Sequence, residues 1–447
     1  MKNIFKILFC APLLFLAACG NSNEPCDGAC PTGYECKNDL CVEIINPSTE
    51  TVVLSGAITS DMTLTANKFY ELAGKVIVED AVLTIEPGTI IKGRPGTGTL
   101  ASALIIARGA MINACGTAQK PIIFTSTLDN IKIGEKAGTN LNQTDNEKWG
   151  GVIILGKAPV STKDGDTEGQ IEGIPADESY GKYGGTDAND NSGKLCYVSI
   201  RHGGAVIGEG NEINGLSLGG VGAGTEINHI EIVANLDDGI EFFGGTVNVS
   251  NVIITYQDDD ALDIDQNYSG TISNFYIIHG GDGTDEGLEI DGPENSTYNT
   301  GKFTIENGTV ISQDGKGSIA DLKSKAQGTI SNVVFKGYTN FMKVSASFDA
   351  SNACADKVDA YTHLISDDLI VTNCEIVSSD AVMADFIKVY AKKEPECLQA
   401  VDTEYQAAAD AKIISAGGNS IVTSSSKGAD LSELKGWSWT DTNGLLQ

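Results

Sequence analysis

Three short stretches hold the residues best placed to do chemistry: Asp238-Gly239-Ile240-Glu241-Phe242, Asp260-Ala261-Leu262-Asp263-Ile264 and Glu286-Gly287-Leu288-Glu289-Ile290. In each, an acid leads, and a second acid stands between two apolar residues. Glu241, Asp263 and Glu289, set side by side, offer the oxygen ligands that a hard cation such as Ca²⁺ takes in sets of six to eight. Carboxyls facing each other across a sugar can also act as acid and base. Inverting glycoside hydrolysis needs them roughly 6.5 to 9.5 Å apart, and Asp238, Asp259 and Asp260 are the candidates for that catalytic role. Stacked at the strand spacing of about 4.8 Å, like charges cost on the order of 0.9 kcal/mol per contact even in water. A bound cation, a shared proton or a lysine from a loop would offset that cost, and so would splayed, hydrated side chains.

The elements that must position these acids follow from the spacing. Alternating acidic and apolar residues are the period-two pattern of a strand with one buried face. The copies recur after 22 and 26 residues, too far apart for hairpins of a sandwich. Between them runs a second series, Asn251, Asn274, Asn307, Asn332 and Asn373, each two residues after an Ile or Val, with His229 in the same slot one repeat earlier. Repeats of this length, none able to bury its apolar face alone, predict a solenoid. Strands rich in Val and Ile, with Gly and Asn at the corners, make it an all-β, right-handed parallel β-helix over residues 51–447.

The composition agrees. The chain has 447 residues, with 52 Gly against 11 Pro, and 60 acidic residues against 30 basic ones for a net charge of −30. That balance argues against nucleic acid and against electrostatic adhesion to anionic lipid, and it permits calcium or cationic partners.

At the start, Lys2 and Lys6 precede an apolar run that ends Leu16-Ala17-Ala18-Cys19-Gly20. The run is too short for an ordinary membrane span. It resembles a bacterial lipoprotein signal peptide over residues 1–18, which implies cleavage before Cys19, lipidation of its thiol and an anchor at the outer membrane or cell surface. Residues 19–50 hold Cys26, Cys30, Cys36 and Cys41 among Gly, Asp and Pro. So little apolar material predicts two disulfides. Pairing Cys26 with Cys36 and Cys30 with Cys41 is one of three possible connectivities; zinc is disfavoured by the absence of His and of paired Cys-x-x-Cys spacing. The segment resembles the small EGF-like knots between anchor and body in surface lipoproteins.

The stretches LTIEPGTII, ARGAMINACGT, KPIIFTS, WGGVIILGKAPV, GLSLGGVGAGTEINHIEIV and DDGIEFFGGTVNVSNV resemble the coils of bacterial secreted β-helix proteins in the pectin-lyase-like superfamily, over most of Lys68 to Ile290. The resemblance implies the fold and leaves the activity open. Polygalacturonase-type enzymes on this fold place paired acids on neighbouring coils, as Asp238 and Asp259-Asp260 are placed here. Departures are several: Asn235 stands three residues before Asp238, Glu286 replaces a His-Gly, and the chain has only Arg94, Arg108 and Arg201 to pair a uronate carboxylate. The expected function is a lipid-anchored surface module that binds polysaccharide or protein, with calcium as a possible aid; a polysaccharide hydrolase or lyase is the alternative.

Asp129 to Lys148 and Ser161 to Lys194 read as polar insertions that wall a groove. His202 and His279, in matching repeats, are expected at equivalent turns with structural roles. Past Asp291, the ladder position turns from Asp321 to Lys343 and Lys388. Cys354 and Cys397 are expected to pair, and Cys115, Cys196 and Cys374 to be buried free thiols. Asp402 to Lys412 reads as a helical turn or two, and Trp437-Ser438-Trp439 as cover for the last open coil.

Overall fold

The computed structural model describes residues 30, 34–37, 40–43, 50–207, 212–281, 283–391 and 394–447. The chain forms two compact units, Met1–Pro47 and Ser48–Gln447. In the first, Tyr34–Lys37 and Leu40–Glu43 pair antiparallel, and Cys30 and Cys36 are both disulfide-bonded. The leader, Cys19 and Cys26 fall outside the described residues.

The second unit is a parallel β-helix. One coil consists of a short strand, such as Ile240–Phe243, followed by a longer bent one, such as Asn248–Thr255. Short strands pair in parallel from coil to coil: Ala103–Ile106, Val152–Leu155, Leu216–Gly219, Ile240–Phe243, Leu262–Asp265, Leu288–Asp291 and Ser318–Lys323. The bend in the longer strands explains the asparagine series. His229, Asn251, Asn274, Asn307, Asn332 and Asn373 all have φ between 52° and 59°, the left-handed region that Asn tolerates better than most L-residues. Their amides also bond along the axis, Asn274 to Asn251 and Asn332 to Asn307 at 2.7 Å each. His202 and His279 occupy one register position, as the repeat implied, and both are buried.

Residues pointing inward from each coil (Ile240, Phe242, Leu262, Ile264, Leu288 and Ile290 among them) form one continuous core. The outward column of the short strands changes character along the axis: Ile105, Ile153, Ser217, Glu241, Asp263, Glu289, Asp321, Lys343, Lys388. Its apolar end explains the second insertion. Ile171, Ile174 and Tyr183 pack on Ile77, Ile105 and Ile153 in a separate apolar cluster, so the insertion is seated by burial rather than left loose.

Three expectations are corrected. Cys115 and Cys196 are not free thiols but a disulfide: they lie opposite one another on adjacent coils, and the insertions between them hide that register in the sequence. The end of the solenoid is closed by a 21-residue helix, Pro395–Ser415, far longer than a turn or two. Gln406 bonds both ways with the backbone of the edge strand Ile387–Ala391, donating to Ile387 O at 2.8 Å and accepting from Val389 N at 3.0 Å. The tryptophans therefore cap nothing at that end; Trp437 and Trp439 lie along the side of the stack on Val233, Ile253, Tyr256, Tyr276 and Ile278. Cys354 and Cys397 do pair, tying the helix to the coil before it, and Cys374 is a buried free thiol.

Candidate functional site

The acid motifs become a grid. Along the coils, Glu241, Asp263 and Glu289 stand in register as one column. Asp265 and Asp291 follow two residues later, each closing its strand. At the turn before each strand sits a doublet: Asp237-Asp238, Asp259-Asp260 and Asp285-Glu286. The second member of each doublet is buried and structural on one side, for Asp238 Oδ1 accepts Asp260 N at 3.0 Å and Asp260 Oδ1 accepts Glu286 N at 2.5 Å. Asp259 and Asp285, the first members on the later coils, are exposed.

Counterions are placed unevenly. On the third coil, Lys323 bonds Glu289 and lies 3.7 Å from Asp291, while Lys343 bonds Glu286 and lies 3.5 Å from Asp321. Tyr390 OH donates to Asp321 at 2.8 Å. On the first two coils, no described Lys or Arg lies within ion-pair distance of Asp238, Glu241, Asp260 or Asp263. Asn214 is their polar neighbour, donating from Nδ2 to Glu241.

Burial and mutual repulsion therefore favour protonation there. Asp238, Glu241, Asp260 and Asp263 are held well above the usual carboxylate range, by burial first and by neighbouring carboxylates second. Burial and then Asp259 push Asp237 up to about 7; burial and then Asp291 push Asp265 up to about 7. Asp259 and Asp285, exposed as residues but with carboxyls partly shielded from water at the grid, rise to about 6 by that desolvation, reinforced by Asp285 and Glu286 respectively. Glu286 goes the other way: burial raises it, but Lys343 and Ser318 outweigh that and hold it below the usual range. The face is thus not the open, hydrated ladder that splayed side chains would give, since Glu241 is only 8 % exposed.

A cleft of about 780 Å³ opens beside the grid, between Glu241, Phe243 and Asp265 on the coils and Lys163, Asp164, Asp166, Glu172 and Lys182 on the second insertion. The insertion is tied across it. Asn295 N donates to Thr162 O at 3.1 Å, Thr162 N to Ser296 Oγ at 2.8 Å, and Tyr183 OH to Gln266 Oε1 at 3.0 Å. Acids line both walls.

A family model described as a pectate-lyase-like β-helix domain matches residues 56–420. The chain belongs to that family. No curated protein and no solved structure matches it. Membership in the pectate-lyase-like β-helix family accounts for the scaffold and not for the acids, because one fold hosts many unrelated activities.

Of the residues picked from the sequence, Asp238, Glu241 and Asp263 converge, with one oxygen from each within 4.8 Å of the others. Asp237, Asp238 and Asp259 form a second such group, and Asp260, Glu286 and Glu289 a third. Glu289 is thus drawn away from Glu241 toward the turn acids and Lys323. The sequence reading passed over Asp237, Asp285, Asp265, Asp291 and Asn214. The first two were legible in the doubled acid ahead of each copy; Asn214 was not, since Ser217 breaks the motif on its coil.

Proposed function

We propose that this protein is a non-catalytic binding module, displayed at the cell surface by a lipid on Cys19, whose acidic cleft receives a polysaccharide or protein partner bearing positive groups. The observation that carries the reading is the cleft itself, with acids on both walls, Asp164, Asp166, Glu168 and Glu172 on the insertion and Glu241 and Asp265 on the coils, against two lysines, Lys163 and Lys182. Such a cleft focuses negative potential and draws cationic groups, whereas a uronate polymer would meet repulsion. The candidate catalytic acids support binding over hydrolysis. Asp238 and Asp260 each commit an oxygen to a backbone amide, and Asp238 and Asp259 present oxygens within 4.8 Å of each other, closer than an inverting pair needs. No helix among the described residues is long and apolar enough to cross a membrane, so attachment through Cys19 would rest on the lipid.

One observation favours the hydrolase alternative: Asp237 and Asp259, at about 7 and about 6, lie in the range where a carboxyl serves as general acid near neutral pH. Binding to partly deacetylated chitosan and to polygalacturonate, measured against NaCl, separates the two. Salt-sensitive binding to the cationic polymer with no release of reducing sugar from either supports the module. Sugar release that Asp259→Asn abolishes would establish the enzyme instead.

A further inference from the structure

We propose that the partner received by the cleft is an extended, lysine-rich segment of a protein, and that one of its ammonium groups seats between Asp263 and Asp265 as Lys323 seats between Glu289 and Asp291. This deepens the cleft reading and rests on it, since it names which cationic partner the floor accepts.

The coils supply their own comparison. Asp263 and Glu289 are in register, and Asp265 and Asp291 close their strands two residues later. Each strand thus presents the same pair of acids. On the third coil, the residue opposite Asp291 on the next strand is Lys323, whose ammonium bonds Glu289 and lies 3.7 Å from Asp291. On the second coil, that next-strand place is held by Asp291, an acid. No described Lys or Arg lies within ion-pair distance of Asp263 or Asp265. The pair is built like its neighbour and lacks only the ammonium.

A second observation points the same way. Asp263 Oδ1 is buried without a hydrogen-bond partner among the described residues, which is uncommon for an acceptor. Asp265 lines both the cleft of about 780 Å³ and an adjoining cavity of about 610 Å³, so the seat lies where two cavities meet rather than at a closed end.

Reach decides between partners. A lysine carries its charge on a flexible four-carbon stem with three donors, and such a stem enters between two acids while its backbone stays outside. An amine set directly on a sugar ring brings the ring with it. Neither aromatic residue lining the cleft offers that ring a platform, because Tyr183 and Phe243 are 1 % and 4 % exposed and pack on one another.

The test uses the full chain, titrated by calorimetry with an oligolysine peptide and with chitosan of matched charge. Oligolysine is expected to bind the tighter of the two. Asp265→Asn should weaken oligolysine binding by about thirtyfold or more, as loss of one partner of a desolvated charge pair does, while its own Tm stays at or above the wild-type value because repulsion is relieved. Asp291→Lys supplies in the chain the lysine that the third coil already has, so it should raise Tm and block oligolysine. Asp285→Lys makes the same change of charge away from the seat and should bind nearly as wild type. Equal loss in the two lysine variants overturns the proposal, since net charge alone would then explain binding. Chitosan that binds as tightly as oligolysine, with the same dependence on Asp265, also overturns it and leaves the cleft reading standing. If neither polymer binds, both readings fall.

Discussion

Asp265 shows what burial beneath an insertion does to a carboxyl that the repeat points outward. Its folded pKa of about 7 stands above the unfolded value of about 3.9. The folded state therefore holds a proton that the unfolded state has released. That contribution to stability is fully present below about pH 4 and is lost as pH rises through 7. Asp237, at about 7, acts in the same direction. His202 and His279 oppose them, because burial holds these imidazoles down to about 4 and about 3; their contribution is lost as pH falls below about 6.5. Because the raised carboxyls of the grid outnumber these two imidazoles, the protein should accordingly lose stability as pH rises from about 5 through 7. Asp265→Asn should flatten the alkaline side of that profile, by an amount bounded at roughly 4 kcal/mol for an isolated site. A profile flat from pH 5.5 to 8 in the wild type would contradict the burial argument. At this scale the sequence was informative wherever a motif repeats. Glu241, Asp263 and Glu289 could be aligned by eye, whereas the burial of Glu241 could not, because the insertion that walls the cleft beside it docks on Ile77, Ile105 and Ile153.

The elements that close the solenoid were the hardest to foresee, for each depends on contacts distant in the chain. The C-terminal segment runs back along the coils. Asp430 N donates to Asn274 Oδ1 at 2.6 Å, Ala429 N to Thr309 Oγ1 at 3.0 Å, and Trp437 meets the Tyr197 ring edge-on at 5.6 Å. Its seat is Glu231, fully buried, which accepts Trp439 N at 2.9 Å, Thr440 N at 2.8 Å and Thr440 Oγ1 at 2.7 Å and lies 3.6 Å from Arg201. Glu231→Ala would strand Arg201 as a buried charge, a loss of about 3 to 5 kcal/mol, and would release the segment. Limited proteolysis should then trim residues 427–447 from the variant well before it cuts the coils. Equal resistance in variant and wild type would show that the apolar contacts of the tryptophans suffice. Two aromatic residues near a chain end do suggest a cover, yet nothing in them says which surface they cover. The outward Val233, Ile253 and Ile278 that receive them look, in sequence, like any other strand residues.

At the scale of the whole molecule, a solenoid's stability is close to a sum of coils and of the interfaces between neighbours, so its weakest interface decides where melting begins. Here the chain between the coil of Met111–Cys115 and the coil of Gly193–Arg201 leaves the regular path twice, through both insertions. Ile122–Ser126 and Val152–Leu155 are its only named strands between them that join the coil stack. The Cys115–Cys196 disulfide crosses that interval, joining residues 81 apart in sequence. Closing so long a loop restricts the unfolded chain by on the order of 4 kcal/mol in the chain-entropy account. The staple thus sits where the one-dimensional stack is interrupted. Replacing Cys115 and Cys196 together by Ser should split the calorimetric transition, with the coils from Thr51 to Ser126 melting below the coils that follow. The Cys354–Cys397 pair lies at the other end, and its loss should instead loosen the helix Pro395–Ser415 and leave the N-terminal coils unchanged. A single transition at the wild-type temperature in the Cys115 and Cys196 double variant would mean that docking of the second insertion on Ile77, Ile105 and Ile153 already couples the two halves without the covalent bond.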